Sequence, residues 1–178
     1  MIRLFAALPI PPDIGHALQG RQTGIGGARW RPLEALHVTL RFYGEIREDV
    51  ARDLDHELLT VAHRPFEMAL EGSGAFADGD GPSAVWAGVA EDADLRRLAK
   101  ACEMAGRRVG LTPDPRRYRP HVTLAYLRRP DPAEVAAWIE TNARLRSPPI
   151  PVESFQLYSS VLNADGSRYR AEAEYPLA

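Results

Sequence analysis

Residues 37–40 of this 178-residue chain read His-Val-Thr-Leu, and residues 121–124 repeat the same four amino acids. The repeat extends backwards, because Trp-Arg-Pro at 30–32 precedes the first copy and Tyr-Arg-Pro at 118–120 precedes the second. A repeated motif inside a repeated frame indicates an internal structural duplication. The rest of the two halves is not visibly similar, so the duplication is inferred from these segments alone.

Each copy of the motif has the pattern of a β-strand with one buried face. Side chains at i and i+2 point to the same side of a strand, so His37 and Thr39 share one face. The same holds for His121 and Thr123 in the second copy. If the two strands pack with approximate two-fold symmetry, two imidazoles and two hydroxyls meet in one cleft.

This set of side chains fits the hydrolysis of a phosphodiester by acid–base catalysis. Imidazole titrates near neutral pH, so one ring can be protonated while the other is not. One histidine then takes a proton from water, and the other gives a proton to the leaving oxygen. Threonine hydroxyls can donate hydrogen bonds to the non-bridging phosphate oxygens, where negative charge accumulates. A single His-x-Thr strand is usually structural, but two copies in matching frames favour catalysis.

Other kinds of site have little support in the sequence. Zinc normally needs three or four His, Cys or carboxylate ligands, and each motif supplies one histidine followed by a hydroxyl. Cys102 lies on the inward stripe of a predicted helix, and the chain has no Gly-x-Ser-x-Gly elbow and no glycine-rich nucleotide loop. The sequence therefore predicts neither a metal site nor a cofactor.

Composition and charge limit the partners of the protein. The net charge is −2, which disfavours extended, non-specific binding to long nucleic acid. The basic residues around the second motif are either solvated loop charges or a site for the phosphates of a short substrate; they are Arg116, Arg117, Arg119, Arg128 and Arg129. The apolar run at 5–10 is far too short to span a bilayer, and no signal-peptide pattern is visible. With one cysteine, these features predict a cytoplasmic protein without membrane contact.

Helical and strand periodicities are mixed along the chain. Strands are predicted over 2–8, 36–43, 66–70, 84–89, 121–127, 152–159 and 168–175, and helices over 13–21, 48–62, 94–109 and from Pro132, with Asp131 as its N-cap. A Gly- and Asp-rich loop is predicted between 70 and 84, and the last two strands are joined by a turn through Asn163, Asp165 and Gly166. Neighbouring strands joined by turns favour an α+β fold with antiparallel sheet. No long linker divides the chain.

The paired motifs resemble those of the 2H phosphoesterase superfamily, which is named after two His-x-Thr-x motifs. The flanking segments are most similar to its branch of RNA 2′,3′-cyclic phosphodiesterases, once called 2′–5′ RNA ligases. The similarity lies in residues 3–7, 30–44, 74–76, 85–89, 118–127 and 155–160. The resemblance implies a single bilobal domain over 1–178, with two pseudo-symmetric lobes of antiparallel sheet and outer helices around a central cleft.

The resemblance also implies an activity and a set of site residues. The activity is hydrolysis of 2′,3′-cyclic phosphate ends, on RNA, short oligonucleotides or nucleosides, to 2′-phosphomonoesters. The implied roles are His37 as proton donor, His121 as proton acceptor, Thr39 and Thr123 as phosphate ligands, and Arg41, Arg119 and Tyr126 as further substrate contacts. The branch often has a basic residue at the position of Tyr126, so Arg119 and Arg128 are the candidates to replace that cation.

Two other functions are open at this point. Reversal of the reaction at the same site would join a 2′-phosphate-type end to a 5′-hydroxyl, giving 2′–5′ ligation, but no nucleotide-binding motif is present to drive joining. A module that binds RNA or nucleotides without turnover would not need two titratable groups at matched positions. Because the two lobes already form a pair, the protein is expected to be a monomer.

Overall fold

The computed structural model describes residues 1–163 and 166–178. Within these residues, strands and helices are mixed along the chain. The strands are β1 (Ile2–Pro9), β2 (Arg29–Trp30), β3 (His37–Ile46), β4 (Phe66–Met68), β5 (Leu70–Asp78), β6 (Gly81–Val89), β7 (His121–Tyr126), β8 (Ile150–Val152), β9 (Ser154–Asn163) and β10 (Gly166–Pro176). The helices are α1 (Pro12–Gln19), α2 (Glu48–Leu59), α3 (Ala93–Arg108) and α4 (Pro132–Thr141), with a short 3-10 helix at Leu33–Ala35.

Eight of the strands form one antiparallel sheet. Seven follow the order β10-β9-β1-β3-β7-β6-β5, and β2 pairs with β7 beside this path. The short strands β4 and β8 form a separate antiparallel pair. The predicted α+β class with antiparallel sheet is therefore confirmed.

The sheet has two lobes, which meet where β3 pairs with β7. In the first lobe β1, β9 and β10 extend from β3, with α2 and α3 packed outside. In the second lobe β6 and β5 extend from β7, with α4 packed against them. The lobes are not the two halves of the chain, because β9 and β10 return to pair with β1 and with each other. The duplication is therefore seen in the strands around the two motifs and does not divide the chain into two equivalent halves.

The region between residues 70 and 84 is a hairpin of β5 and β6, so the loop predicted there is wrong. Two glycines of this hairpin are packing positions rather than turn positions. A Cβ at Gly74 would lie 2.4 Å from the Trp86 ring, and one at Gly88 would lie 2.5 Å from the carbonyl oxygen of Glu71. Glycine within a strand often marks such a close approach.

Several element boundaries also differ from the prediction. The first motif strand continues past Gly44, at a φ of +80°, to Ile46, and β1 shifts register opposite this point. The predicted strand at 152–159 is split between β8 and β9. The predicted turn through Asn163, Asp165 and Gly166 contains residues 164 and 165, which lie outside the described residues.

The start of α4 agrees with its predicted capping. Pro132 is the first helical residue, and the carboxylate of Asp131 accepts a hydrogen bond of 2.8 Å from the backbone N–H of Ala133. In the described part of the chain, no helix is long and apolar enough to cross a membrane.

Candidate active site

The two motifs lie side by side on β3 and β7, with Val38 directly opposite Val122. Both valines are fully buried, so the polar residues on either side of them project from the other face of the sheet. Antiparallel pairing at this position sets each histidine opposite the threonine of the other motif. The strand pairing thus brings the four predicted side chains together around one point.

The same local hydrogen bond holds both histidines. Nδ1 of His37 lies 2.9 Å from the carbonyl oxygen of Ala35, and Nδ1 of His121 lies 2.6 Å from that of Arg119. A carbonyl oxygen only accepts, so Nδ1 carries a proton in each ring. Nε2 of each ring is therefore the atom that is left to exchange a proton with a substrate.

Aromatic rings of the first lobe surround His37. Its ring centroid lies 4.9 Å from that of Phe5 and 6.3 Å from that of Tyr158. The ring of Tyr169 meets it edge-on at 5.3 Å. These contacts fix the orientation of the imidazole and exclude water from much of its surface.

The surroundings of His37 favour its neutral form. Burial lowers the pKa of His37 from 6.5 to about 4, because the charged ring loses its hydration. The hydrogen bond to Ala35 raises the pKa, and the nearby charges of Arg31 and His121 lower it. In the free protein this imidazole is therefore neutral at neutral pH.

His121 has a similar but more open environment. Burial lowers its pKa below 6.5, the hydrogen bond to Arg119 raises it, and the charge of the Arg119 guanidinium lowers it. The ring meets Phe76 edge-on at 4.7 Å. Both histidines are thus poised as weak bases in the free protein.

A cleft of about 700 Å³ opens beside His121. Its lining includes Thr39 of the first motif and Phe76, and it carries five basic side chains besides Arg41, which are Arg96, Lys100, Arg116, Arg117 and Arg119. The Arg119 guanidinium lies 5.7 Å from the ring centroid of Phe76 and 5.8 Å from that of Trp86. A basic cleft of this volume with an aromatic wall suits a nucleotide-sized anion.

Arg41 also lines the cleft, but protein groups already engage its guanidinium. Its Nε lies 2.5 Å from a carboxylate oxygen of Glu103, and Nη1 lies 3.4 Å from one of Asp114. It also donates hydrogen bonds to the carbonyl oxygens of Phe42 and Thr112. Arg41 therefore organises the cleft wall, and its predicted contact with substrate stays a prediction.

Tyr126 lies at the surface, with 44% of its area exposed. Its ring stacks against the guanidinium of Arg31. Arg128, one candidate for the missing cation, is exposed, whereas Arg119 lines the cleft. The prediction overlooked Arg31. Its place in the repeated Arg-Pro frame was visible in the sequence, but the pairing of β2 with β7 that brings it beside Tyr126 was not.

The sequence profile of the 2′-5′ RNA ligase superfamily matches residues 11–163, which include both motifs. The chain belongs to the 2′-5′ RNA ligase superfamily. Two relatives in this superfamily are named RNA 2′,3′-cyclic phosphodiesterase. The relative from Archaeoglobus fulgidus is 30% identical over 172 residues, which cover 95% of this chain and 97% of the relative. The relative from Aeropyrum pernix is 34% identical over 148 residues, which cover 82% and 84%.

Solved structures confirm the superfamily fold. A crystal structure of a Thermus thermophilus protein matches with a TM-score of 0.82 and 26% identity, over 98% of this chain and 97% of that one. Escherichia coli LigT, complexed with 3′-AMP, matches in fold with a TM-score of 0.79 and 24% identity, over 99% and 98%. Both alignments span the two lobes, so the fold that the resemblance implied is confirmed.

The other reactive groups to consider are metal ligands and the thiol of Cys102. Over residues 1–163 and 166–178, no group of three or more His, Cys, Asp or Glu side chains is placed to hold a metal ion. The thiol of Cys102 is fully buried, and burial raises its pKa, which disfavours the reactive thiolate.

Proposed function

We propose that this chain hydrolyses the 2′,3′-cyclic phosphate ends of RNA, short oligonucleotides and nucleosides to 2′-phosphomonoesters. The observation that carries the proposal is the pairing of Val38 with Val122, which sets two histidines and two threonines around one point. The names of the two relatives described above support the choice of substrate. The proposed unit is one bilobal domain over 1–178, active as a monomer because one chain supplies both histidines.

The proposed reaction is an in-line attack of water on the cyclic phosphorus. Nε2 of His121 takes a proton from the water as the new P–O bond forms. The bond between phosphorus and the 3′-oxygen breaks, and Nε2 of His37 protonates that oxygen. The hydroxyls of Thr39 and Thr123 donate hydrogen bonds to the two non-bridging oxygens and stabilise their charge in the transition state. The products are a 2′-phosphomonoester and a 3′-hydroxyl.

The donor role of His37 requires bound substrate. In the free protein the pKa of His37 is about 4, so burial alone suits this ring to act as the base. A phosphate anion between the two Nε2 atoms favours the imidazolium form and raises the pKa of both rings. The assignment of donor and acceptor rests on the family resemblance, and the two motifs are otherwise close to symmetric.

The first prediction concerns the pH profile. We expect kcat/KM to peak on the acid side of pH 6.5, because it reports the ionising groups of the free protein. In the free protein the pKa of each histidine lies below 6.5. Above pH 6.5 the histidine that acts as the acid therefore loses its proton. At much lower pH the histidine that acts as the base becomes protonated. The kcat profile should peak at higher pH, since bound phosphate raises both values. Steady-state kinetics from about pH 4 to 9 measures both profiles; a kcat/KM optimum above about pH 7 would contradict the prediction.

A turnover assay tests the proposed function itself. We expect a nucleoside 2′,3′-cyclic phosphate to yield the nucleoside 2′-phosphate, at an unchanged rate in the presence of EDTA, because the proposed chemistry uses only side chains. An oligonucleotide with a 5′-hydroxyl in the same mixture tests for 2′–5′ joining, which we expect to be minor beside hydrolysis. Binding without turnover would make the protein a binding module, and loss of rate with EDTA that a divalent cation restores would indicate a metal mechanism.

A further inference from the structure

We infer that a second cavity, beside His37, binds the phosphodiester that precedes the cyclic phosphate in an RNA chain. The cavity has a volume of about 470 Å³. We call it the arginine pocket; its lining includes Arg29, Arg31, Ala35, Ser167, Arg168 and Tyr169. The inference rests on the proposed function and extends it from nucleosides to oligonucleotides.

Arg31 gives the arginine pocket a fixed cation. The residue is only 8% exposed, and its guanidinium lies 5.3 Å from the ring centroid of Tyr126 and 5.4 Å from that of Tyr169. Its backbone is held as well, since its N–H donates to the carbonyl of Leu124 at 2.8 Å and its carbonyl accepts from the Gln22 amide at 2.8 Å. Packing and hydrogen bonds thus place this charge before any ligand arrives.

The charge of Arg31 has no carboxylate partner within the described parts of the chain, and its Nη2 has no hydrogen-bond partner there. A buried charged donor without a partner is destabilising, so natural proteins usually pair it. Among the described residues that line the pocket, Glu34 is acidic and three are arginines. An anion is therefore the ligand that satisfies the pocket, and phosphate oxygens match the fork of a guanidinium.

Tyr126 covers the guanidinium from the solvent side. Tyr126 is a surface residue, with 44% of its area exposed. The other face of the guanidinium rests on Tyr169, which is anchored against Phe5 and His37 at centroid distances of 5.0 and 5.3 Å. The guanidinium therefore lies between one exposed ring and one anchored ring.

The arginine pocket adjoins the proposed catalytic pair on the side of His37. Ala35, which lines the pocket, accepts the hydrogen bond from His37 Nδ1, and Tyr169, which also lines it, meets the same imidazole edge-on. The 700 Å³ cleft lies on the side of His121 and has Phe76 in its wall. The aromatic wall of the cleft suits a stacked base. Arg31 is buried and has no carboxylate partner among the described residues, so the arginine pocket suits a phosphate.

The geometry of RNA makes both cavities reachable at once. A terminal ribose carries the cyclic phosphate on its 2′ and 3′ oxygens and the preceding phosphodiester on its 5′ oxygen. A ribose held beside the two histidines therefore presents its second phosphate to a neighbouring cavity. A nucleoside 2′,3′-cyclic phosphate lacks that second phosphate, which provides a direct comparison.

The test compares kcat/KM for two substrates with the same cyclic end, a nucleoside and a dinucleotide. We expect wild type to prefer the dinucleotide, and Arg31→Gln to lower the ratio of the two kcat/KM values about tenfold or more, as for loss of a hydrogen bond to a charged group. Arg31→Lys should restore part of the ratio, because it keeps the charge without the fork. Arg168→Gln, at the exposed rim of the pocket, should lower the ratio less than Arg31→Gln does. It also provides the test if Arg31→Gln does not fold.

Two controls separate the possible outcomes. Arg52→Gln removes the same charge from the exposed outer side of α2, and the ratio should not change. If Arg117→Gln in the cleft lowers the ratio while Arg31→Gln and Arg168→Gln leave it intact, the preceding phosphate lies in the cleft and the inference is wrong. If wild type turns over neither substrate, the proposed function fails. Calorimetry then measures binding of the dinucleotide to wild type and to Arg31→Gln, which tests the role of the arginine pocket by itself. Equal affinities of the two proteins would overturn that role.

Discussion

We expect replacement of His37 or His121 with alanine to lower kcat for a nucleoside 2′,3′-cyclic phosphate by about 10²–10⁴-fold, the usual effect of removing a general acid or base. Each ring is anchored through Nδ1 and offers only Nε2 to the substrate, so no neighbouring group takes over its proton transfer. The strands remain paired through the buried valines, and we expect both variants to fold.

Initial rates and circular dichroism on the purified variants check this expectation. His56→Ala is the matched control, because that histidine is exposed on the outer helix α2 and its removal should leave the rate unchanged. A rate near that of wild type in either folded active-site variant would refute the two-histidine mechanism.

A sulfur-containing substrate then assigns the two roles. When sulfur replaces the 3′-oxygen, the leaving group departs as a thiolate and needs no proton. This substrate should rescue His37→Ala much more than His121→Ala, because the second variant still lacks its base. Preferential rescue of His121→Ala would exchange the two roles, in line with the low pKa of His37 in the free protein.

The double variant Thr39→Val, Thr123→Val should also show a large loss of activity. Each substitution keeps the shape of the side chain and removes one hydrogen bond to a charged phosphate oxygen, worth about 1.5–3 kcal/mol. This corresponds to about 10–150-fold in rate for each single variant, and more for the pair. The loss should appear mainly in kcat, because the phosphate oxygens gain charge in the transition state.

The matched serine variants separate the hydroxyl from the methyl group. Thr39→Ser and Thr123→Ser keep the donor and should retain most of the activity, with a thermal unfolding midpoint close to that of the valine variants. Wild-type kinetics in the double valine variant would remove the threonines from the phosphate site.

The centre of the site was visible in the sequence because it rests on local geometry. Strand alternation alone places His37 and Thr39 on one face, and the repeated tetrapeptide indicates that a second such face exists. The fact that β3 and β7 are neighbours is a long-range property. It depends on packing of the whole sheet, and no local pattern near Val38 or Val122 specifies it.

Errors in the fold prediction arose where residues serve tertiary contacts. Gly74 lies in the segment that was predicted as a loop, but it makes room for the Trp86 ring inside the hairpin of β5 and β6. Glycine is a frequent turn residue and also a close-packing residue, and the sequence alone does not distinguish the two uses.

Arg31 was not among the predicted site residues for a similar reason. In the sequence Arg31 looks like any other arginine. Only the three-dimensional structure shows that it is buried between Tyr126 and Tyr169. The low pKa of His37 depends on the same kind of information, because burial is its main cause. Arg41 is the opposite case. It was predicted to contact the substrate, but the structure shows that its guanidinium is already paired with Glu103 and Asp114.

The most direct test of the two-histidine phosphodiesterase is a ³¹P NMR time course on a dinucleotide with a 2′,3′-cyclic phosphate end, in the presence of EDTA. Wild type should convert the cyclic phosphate signal to that of a 2′-phosphomonoester and leave the internal phosphodiester intact. His37→Ala and His121→Ala should leave the spectrum unchanged over the same period. An unchanged spectrum with wild type, a 3′-phosphomonoester as product, or conversion by either variant at the wild-type rate would contradict the proposed mechanism.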